Sequence, residues 1–158
     1  MWQKIKPYVV FIALSLGVGA LAALLTRDAM NIYGEIVTPS FAPPAILFPI
    51  VWTVLYVLMG VSAALVYTHR EKNPAAARDG LVFFGVSLFV NFTWSLIFFS
   101  LRAFLFASIW VAVLWLLIIG TVYYYAKVSR PAALLQIPYL LWVTFATVLT
   151  VAIYLLNQ

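Results

Sequence analysis

The side chains best suited to binding chemistry lie inside long apolar stretches of the sequence. Asn91 and Trp94 are about one helical turn apart, and Ser87, Ser95 and Phe98 fall on the same helical face. An amide offers two donors and an acceptor oxygen, and an indole offers one donor, so the pair could clamp a flat ligand with a polar edge. The alternative is a hydrogen bond between helices, which stabilises a membrane protein by about 0.6 kcal/mol.

A second candidate region combines a stiff loop with an aromatic helix. Prolines at 39, 43 and 44 fix φ and remove backbone donors over residues 38–44. Trp52, Tyr56 and Gly60 then repeat every four residues, which places them on one helical face. A rigid lid beside aromatic side chains favours a binding site, whereas the alternative is an aromatic belt at a membrane interface.

The composition places both regions in a membrane protein. The 158 residues are 66% hydrophobic and only 8% charged, with a mean hydropathy of +1.11, whereas a soluble domain carries about 25% charged residues. The chain has no cysteine, which excludes disulfides, thiolate metal ligands and thiol catalysis. Its net charge of +5 comes from residues between the apolar segments, so it indicates membrane topology and no nucleic-acid partner.

Five segments are long enough to span a bilayer, which needs roughly 20 helical residues. In hydrocarbon each backbone group must be paired within its own segment, so the sequence predicts an all-α bundle of five transmembrane helices forming one domain, 1–158. The first apolar run exceeds the length of a typical signal peptide, so we read it as an uncleaved span. The predicted spans are residues 7–25, 45–68, 81–100, 103–126 and 134–156.

The basic residues predict an orientation. Seven lysines and arginines share the side of the N-terminus, and two lie on the other side. The positive-inside rule therefore predicts a cytoplasmic N-terminus and an outer first loop. The inner set is Lys4, Lys6, Arg70, Lys72, Arg78, Lys127 and Arg130, and the outer set is Arg27 and Arg102.

Several kinds of chemistry are absent from the spans. None contains an acidic or basic residue or a histidine, which argues against proton- or ion-coupled transport and predicts no metal site. His69 ends the second span beside Arg70, and we expect an interfacial loop residue there rather than a haem ligand. Small residues at Ser15, Gly19 and Ala23 predict a close helix contact within the bundle, with an oligomer interface as the alternative.

Three ordered motifs stand out in the sequence. The first is Pro-Ser-Phe-Ala-Pro-Pro at 39–44 with Val-Trp-Thr-Val-Leu-Tyr at 51–56, the second is Asn-Phe-Thr-Trp at 91–94 with Ile-Phe-Phe at 97–99, and the third is Pro-Tyr-Leu-Leu-Trp at 138–142 with Phe-Ala-Thr-Val-Leu at 145–149. Together they resemble the translocator protein (tryptophan-rich sensory protein, TspO) family, and the resemblance extends over nearly the whole chain. Tyr33 in the first loop also fits this family.

The resemblance implies a receptor, carrier or sensor in a bacterial cell membrane. It implies a homodimer in the lipid bilayer, with a cavity open toward the first loop that binds protoporphyrin IX, haem or isoquinoline carboxamides as ligands and requires no cofactor. The implied ligand-binding residues are Tyr33, Pro43, Trp52, Asn91, Trp94, Trp142, Phe145, Ala146 and Leu149.

The resemblance also implies two alternatives. The first is a light- or oxygen-dependent enzyme that degrades porphyrin, with Trp52 and Trp142 as its redox partners. The second is a sterol-binding translocator. The chain has Leu149 and Tyr154 of the family's sterol motif, but residues 155–158 supply no basic residue, and Phe41 stands where tryptophan is commoner.

Overall fold

The computed structural model describes residues 2–158, and five long apolar helices account for most of them. Each helix is long and apolar enough to cross a membrane, which confirms the predicted all-α five-helix class. A 3₁₀ helix, Arg27–Gly34, occupies the first half of the first loop, and a π-helical turn, Leu96–Ser100, extends the third helix. The helices are α1 (Trp2–Thr26), α2 (Leu47–Thr68), α3 (Pro74–Ser95), α4 (Phe104–Ala126) and α5 (Arg130–Leu156).

The five helices pack in a closed ring rather than in a single row. Contacts run from α1 to α2, then to α5, α4 and α3, while α1 and α3 close the ring with a looser contact. Apolar residues from α2, α3, α4 and α5 fill the middle of the ring. The looser seam between α1 and α3 leaves room for a cavity.

Three helices begin earlier than the predicted spans, namely α1, α3 and α5, and in α3 and α5 local capping extends the helix beyond the apolar segment. Asn73 accepts a hydrogen bond from the amide of Ala76, and Pro74 occupies the first turn, so α3 starts before residue 81. Ser129 caps α5 in the same way, so that helix starts at Arg130 rather than at 134. Apolar periodicity locates the membrane-spanning part, whereas the caps set the ends of the helices.

Small residues bring α1 and α2 into close contact. A Cβ on Gly60 would lie 2.5 Å from the Cα of Ile12, and a Cβ on Gly19 would lie 2.3 Å from the ring of Tyr56. Ser15 is fully buried on the same side of α1. The predicted contact within the bundle is therefore confirmed for Ser15 and Gly19, while Ala23 lies exposed at the edge of the seam.

Two polar contacts hold the first loop over the end of the bundle; we call them the loop clasp. Arg102 pairs with Glu35 at 2.6 Å. The side-chain amide of Asn157 donates to the carbonyl of Val37 at 2.8 Å and accepts from its amide at 2.9 Å. Arg102 has a positive φ of 52°, a conformation that non-glycine residues seldom adopt, in the short turn between α3 and α4. The clasp therefore joins the loop both to this turn and to the end of α5.

Candidate functional site

A cavity of about 130 Å³ lies between α1, α2 and α3, at the seam where the ring is loosest. Small residues of α1 form one wall, and large aromatic residues form the others. The 3₁₀ helix contributes Met30 at the loop end. The lining residues are Gly19, Ala22, Ala23, Thr26, Met30, Phe48, Pro49, Trp52, Tyr56, Trp94, Ser95 and Phe99.

Two residues from the predicted site line this cavity, Trp52 from α2 and Trp94 from α3. Trp52 contacts Tyr56, one helical turn later, with ring centroids 5.6 Å apart. Trp94 stacks on Phe98 at 5.4 Å. The four-residue spacing noted in the sequence thus places flat aromatic surfaces where an apolar planar ligand would meet them.

Asn91 is almost completely buried and does not line the cavity, but it contacts Tyr56, which does. The Nδ2 atom of its amide donates a hydrogen bond to the Tyr56 hydroxyl at 2.8 Å, and this bond links α3 to α2. Its Oδ1 atom has no hydrogen-bond partner among residues 2–158. Asn91 therefore makes the interhelical bond considered from the sequence and still keeps an acceptor available.

Four of the six indole N–H groups of the chain form two contrasting pairs. Trp110 donates to Thr93, and Trp115 donates to Thr144, each at 2.8 Å to the hydroxyl of a neighbouring helix. The N–H groups of Trp94 and Trp142 are buried and have no partner within the described part of the chain. Buried polar groups in proteins are paired in roughly 90% of cases or more. An acceptor on a ligand would complete the bonding of either indole, whereas the hydroxyls of Tyr125 and Tyr139 are also unpaired among the described residues but line neither hollow.

The roof of the cavity is aromatic and comes from the first loop and the π-helical turn. Tyr33 stacks on Phe48 with ring centroids 5.4 Å apart, and it contacts Phe98 and Phe99 at 6.4 and 6.3 Å. The π-helical turn buries both phenylalanines on the side of the loop. Tyr33 thus packs on Phe48 and the π-helical turn, but it is not itself a lining residue of the cavity.

Trp142 and Phe145 lie on a second hollow, an apolar groove of about 440 Å³ between α2 and α5. Phe48 separates the two hollows, because it lines the cavity and also contacts Trp142 with ring centroids 5.9 Å apart. Phe41 of the first loop contacts Phe145 with ring centroids 6.4 Å apart, so the loop reaches the edge of this groove. The structure therefore divides the predicted aromatic residues between two adjoining spaces.

The remaining predicted residues lie outside the cavity lining. Ala146 and Leu149 are buried in α5 within the bundle, and Pro43 is half-buried in the first loop. The sequence-based site omitted Phe48, Met30 and Phe99, which line the cavity. Phe48 stands four residues before Trp52, so the same helical spacing would have found it, whereas the loop residue Met30 carries no such signal.

The chain matches known proteins over nearly its whole length. A model of the TspO/MBR family matches residues 11–156. The tryptophan-rich protein TspO of Chlorobaculum tepidum is 38% identical over 159 residues, covering 99% of each chain. Protein CrtK of Rhodobacter capsulatus is 35% identical over 88% of this chain and 85% of its own, and the translocator protein of Bos taurus is 30% identical over 91% and 85%.

Proposed function

We propose, from the premise that this chain belongs to the TspO/MBR family of membrane proteins, that it is a receptor, carrier or sensor for porphyrins. Relatives named "tryptophan-rich sensory protein" and "translocator protein" support this class of function. The proposed ligand is flat and largely apolar, with carboxylates or carbonyls at its edge, as in protoporphyrin IX. It binds under the first loop, between α2 and its neighbours.

One observation carries the proposal: two buried indole donors are left unpaired within residues 2–158, that of Trp94 at the cavity and that of Trp142 at the adjoining groove. The chain pairs the indole N–H groups of Trp110 and Trp115 with threonines, yet it leaves those of Trp94 and Trp142 without a partner among the described residues. In a bilayer a buried unpaired donor costs about 1–3 kcal/mol, because no lipid tail can accept its proton. A ligand oxygen that accepts from either indole would remove that cost and would be held between aromatic faces.

The size of the cavity adds a condition. Sites for drug-sized ligands measure about 300–1,000 Å³, and the cavity measures about 130 Å³. A porphyrin therefore requires an open form of the protein. The loop clasp and the Phe48–Trp142 contact are the closures to release, because Phe48 is the ring that separates the cavity from the groove of about 440 Å³.

We expect protoporphyrin IX to bind the purified protein, and Trp94→Phe to weaken binding by about fivefold or more. Phenylalanine keeps an aromatic ring against the ligand but removes the unpaired N–H donor. The measurement is a titration followed by porphyrin absorbance in detergent. The matched control is Trp115→Phe, which removes an N–H that is already bonded to Thr144. Equal affinities for the two variants would show that the Trp94 donor does not meet the ligand, and no binding at all would overturn the proposed function.

Orientation is the second part of the proposal: the N-terminus is cytoplasmic and the first loop faces outward. The charge bias along the sequence supports it. Because the chain has no cysteine, single cysteines can report on each side. Ser40→Cys, exposed in the first loop, should react with a membrane-impermeant maleimide on intact cells, whereas Thr68→Cys, exposed at the other end of α2, should react only after lysis. The reverse pattern would invert the orientation.

A further inference from the structure

A wide groove lies at the end opposite the first loop, and the porphyrin proposal does not use it. It measures about 820 Å³ and runs between the start of α1 and the end of α2. We call it the basic groove. Its lining residues are Gln3, Lys4, Lys6, Pro7, Tyr8, Val10, Phe11, Tyr67, Thr68, His69 and Arg70.

Three cations line the basic groove without a carboxylate partner. Among residues 2–158 the ion pairs within 4.0 Å are Arg27–Asp28, Arg78–Asp79 and Arg102–Glu35. Lys4, Lys6 and Arg70 belong to none of them, and no acidic residue lines the groove. Its positive charge is therefore available to an anion.

Aromatic packing fixes the position of one of these cations. The Arg70 guanidinium lies 4.3 Å from the ring centre of Tyr67 and donates one hydrogen bond to the Tyr67 carbonyl at 2.7 Å. Phe11 of α1 packs against the same tyrosine ring at 5.7 Å. A guanidinium carries five N–H donors in a rigid fork, so donors remain for a phosphate oxygen.

The groove is amphipathic along its length. Pro7, Val10 and Phe11 form apolar walls on α1, and the lysines precede them toward the helix start. Both helices change from apolar to charged residues at this end, which places the groove at the membrane–water interface. A free anion would use the cations alone, whereas a lipid would use the cations and the apolar walls together.

We propose that the basic groove binds the headgroup of an anionic phospholipid from the surrounding bilayer. The phosphate lies against Arg70 with Lys4 and Lys6 beside it, and an acyl chain follows the apolar wall of α1. Basic pockets between transmembrane helices are recognised sites for anionic headgroups. The site is independent of the porphyrin cavity, which lies at the opposite end of α2.

The test measures retention of short-chain phosphatidylglycerol by native mass spectrometry, with phosphatidylcholine as the zwitterionic comparison. Each basic residue near a membrane surface changes binding by about fivefold, so Lys4→Gln with Arg70→Gln should weaken phosphatidylglycerol binding by roughly 25-fold. Phosphatidylcholine should bind far more weakly and should be insensitive to the change. The matched control is Lys127→Gln with Arg130→Gln, which removes the same charge from the same end of the bundle outside the groove.

Three results would overturn the proposal. Equal losses in both double variants would show a general surface-charge effect. Equal retention of the two lipids would show that the groove does not distinguish headgroup charge. Displacement of phosphatidylglycerol by inorganic phosphate at the same concentration would assign the groove to free anions. Helical content and melting temperature without added lipid verify folding, and Arg70→Gln alone, expected to weaken binding about fivefold, replaces the double variant if that variant is misfolded.

Discussion

Asn91→Leu is expected to weaken protoporphyrin binding by about 5- to 150-fold, because it removes the second N–H of the Asn91 amide, the one not donated to Tyr56, and a ligand oxygen that loses a buried donor forfeits roughly 1–3 kcal/mol. Leucine is similar in volume and compatible with an apolar bundle, so packing changes little. The variant also removes the bond from Asn91 to the Tyr56 hydroxyl. We therefore expect a lower melting temperature together with the loss of affinity, both measured on one purified preparation.

Ser87→Ala is the control that separates these two effects. Ser87 lies on the same face of α3, is buried and bonds only its own helix, at the carbonyl of Phe84. Its replacement removes a buried hydroxyl without touching the cavity wall, so affinity should not change. If Asn91→Leu lowered the melting temperature but left the affinity of the folded protein unchanged, Asn91 would be a bond between helices and not part of the site.

The largest expected loss of stability belongs to Gly60→Ala. The added Cβ would lie 2.5 Å from the Cα and 2.7 Å from the amide nitrogen of Ile12, and backbone atoms cannot rotate away as side chains can. The helices α1 and α2 must move apart, at a cost of typically 1–3 kcal/mol for overpacking. Thermal unfolding of the purified protein in detergent measures this cost.

Gly17→Ala is the matched substitution on α1. A Cβ at Gly17 meets nothing within 4 Å. Alanine also favours a helix over glycine by up to about 1 kcal/mol, so this variant should be as stable as the parent or slightly more stable. If the two variants had the same melting temperature, the close approach of α1 and α2 at Gly60 would not be a source of stability.

The number and class of the helices could be predicted from hydropathy because a bilayer demands complete backbone pairing. The family resemblance drawn from three motifs is likewise confirmed by the match over residues 11–156. Helix ends were less accessible, since Asn73 and Ser129 extend α3 and α5 by capping. The 3₁₀ helix in the first loop has no apolar pattern long enough to predict it from the sequence.

The division of the site between two hollows could not be predicted from periodicity. Helical spacing shows that Trp142 and Phe145 lie close together on α5, but it does not say which neighbour they meet. That depends on the order of the helices in the ring, which places α5 on the far side of α2 from the cavity. The π-helical turn likewise changes the directions of Phe98 and Phe99, and the sequence there reads as an ordinary helix.

The loop clasp controls the apparent affinity for every ligand without changing the selectivity among ligands. If ligands enter only when Glu35 and Val37 leave Arg102 and Asn157, every apparent dissociation constant equals the intrinsic constant divided by the open fraction. A change in the clasp therefore scales all affinities by one factor and leaves their ranking unaltered. Because the Arg102–Glu35 pair is about half exposed and is screened by salt, ionic strength acts on affinity through the same factor, even for an uncharged ligand.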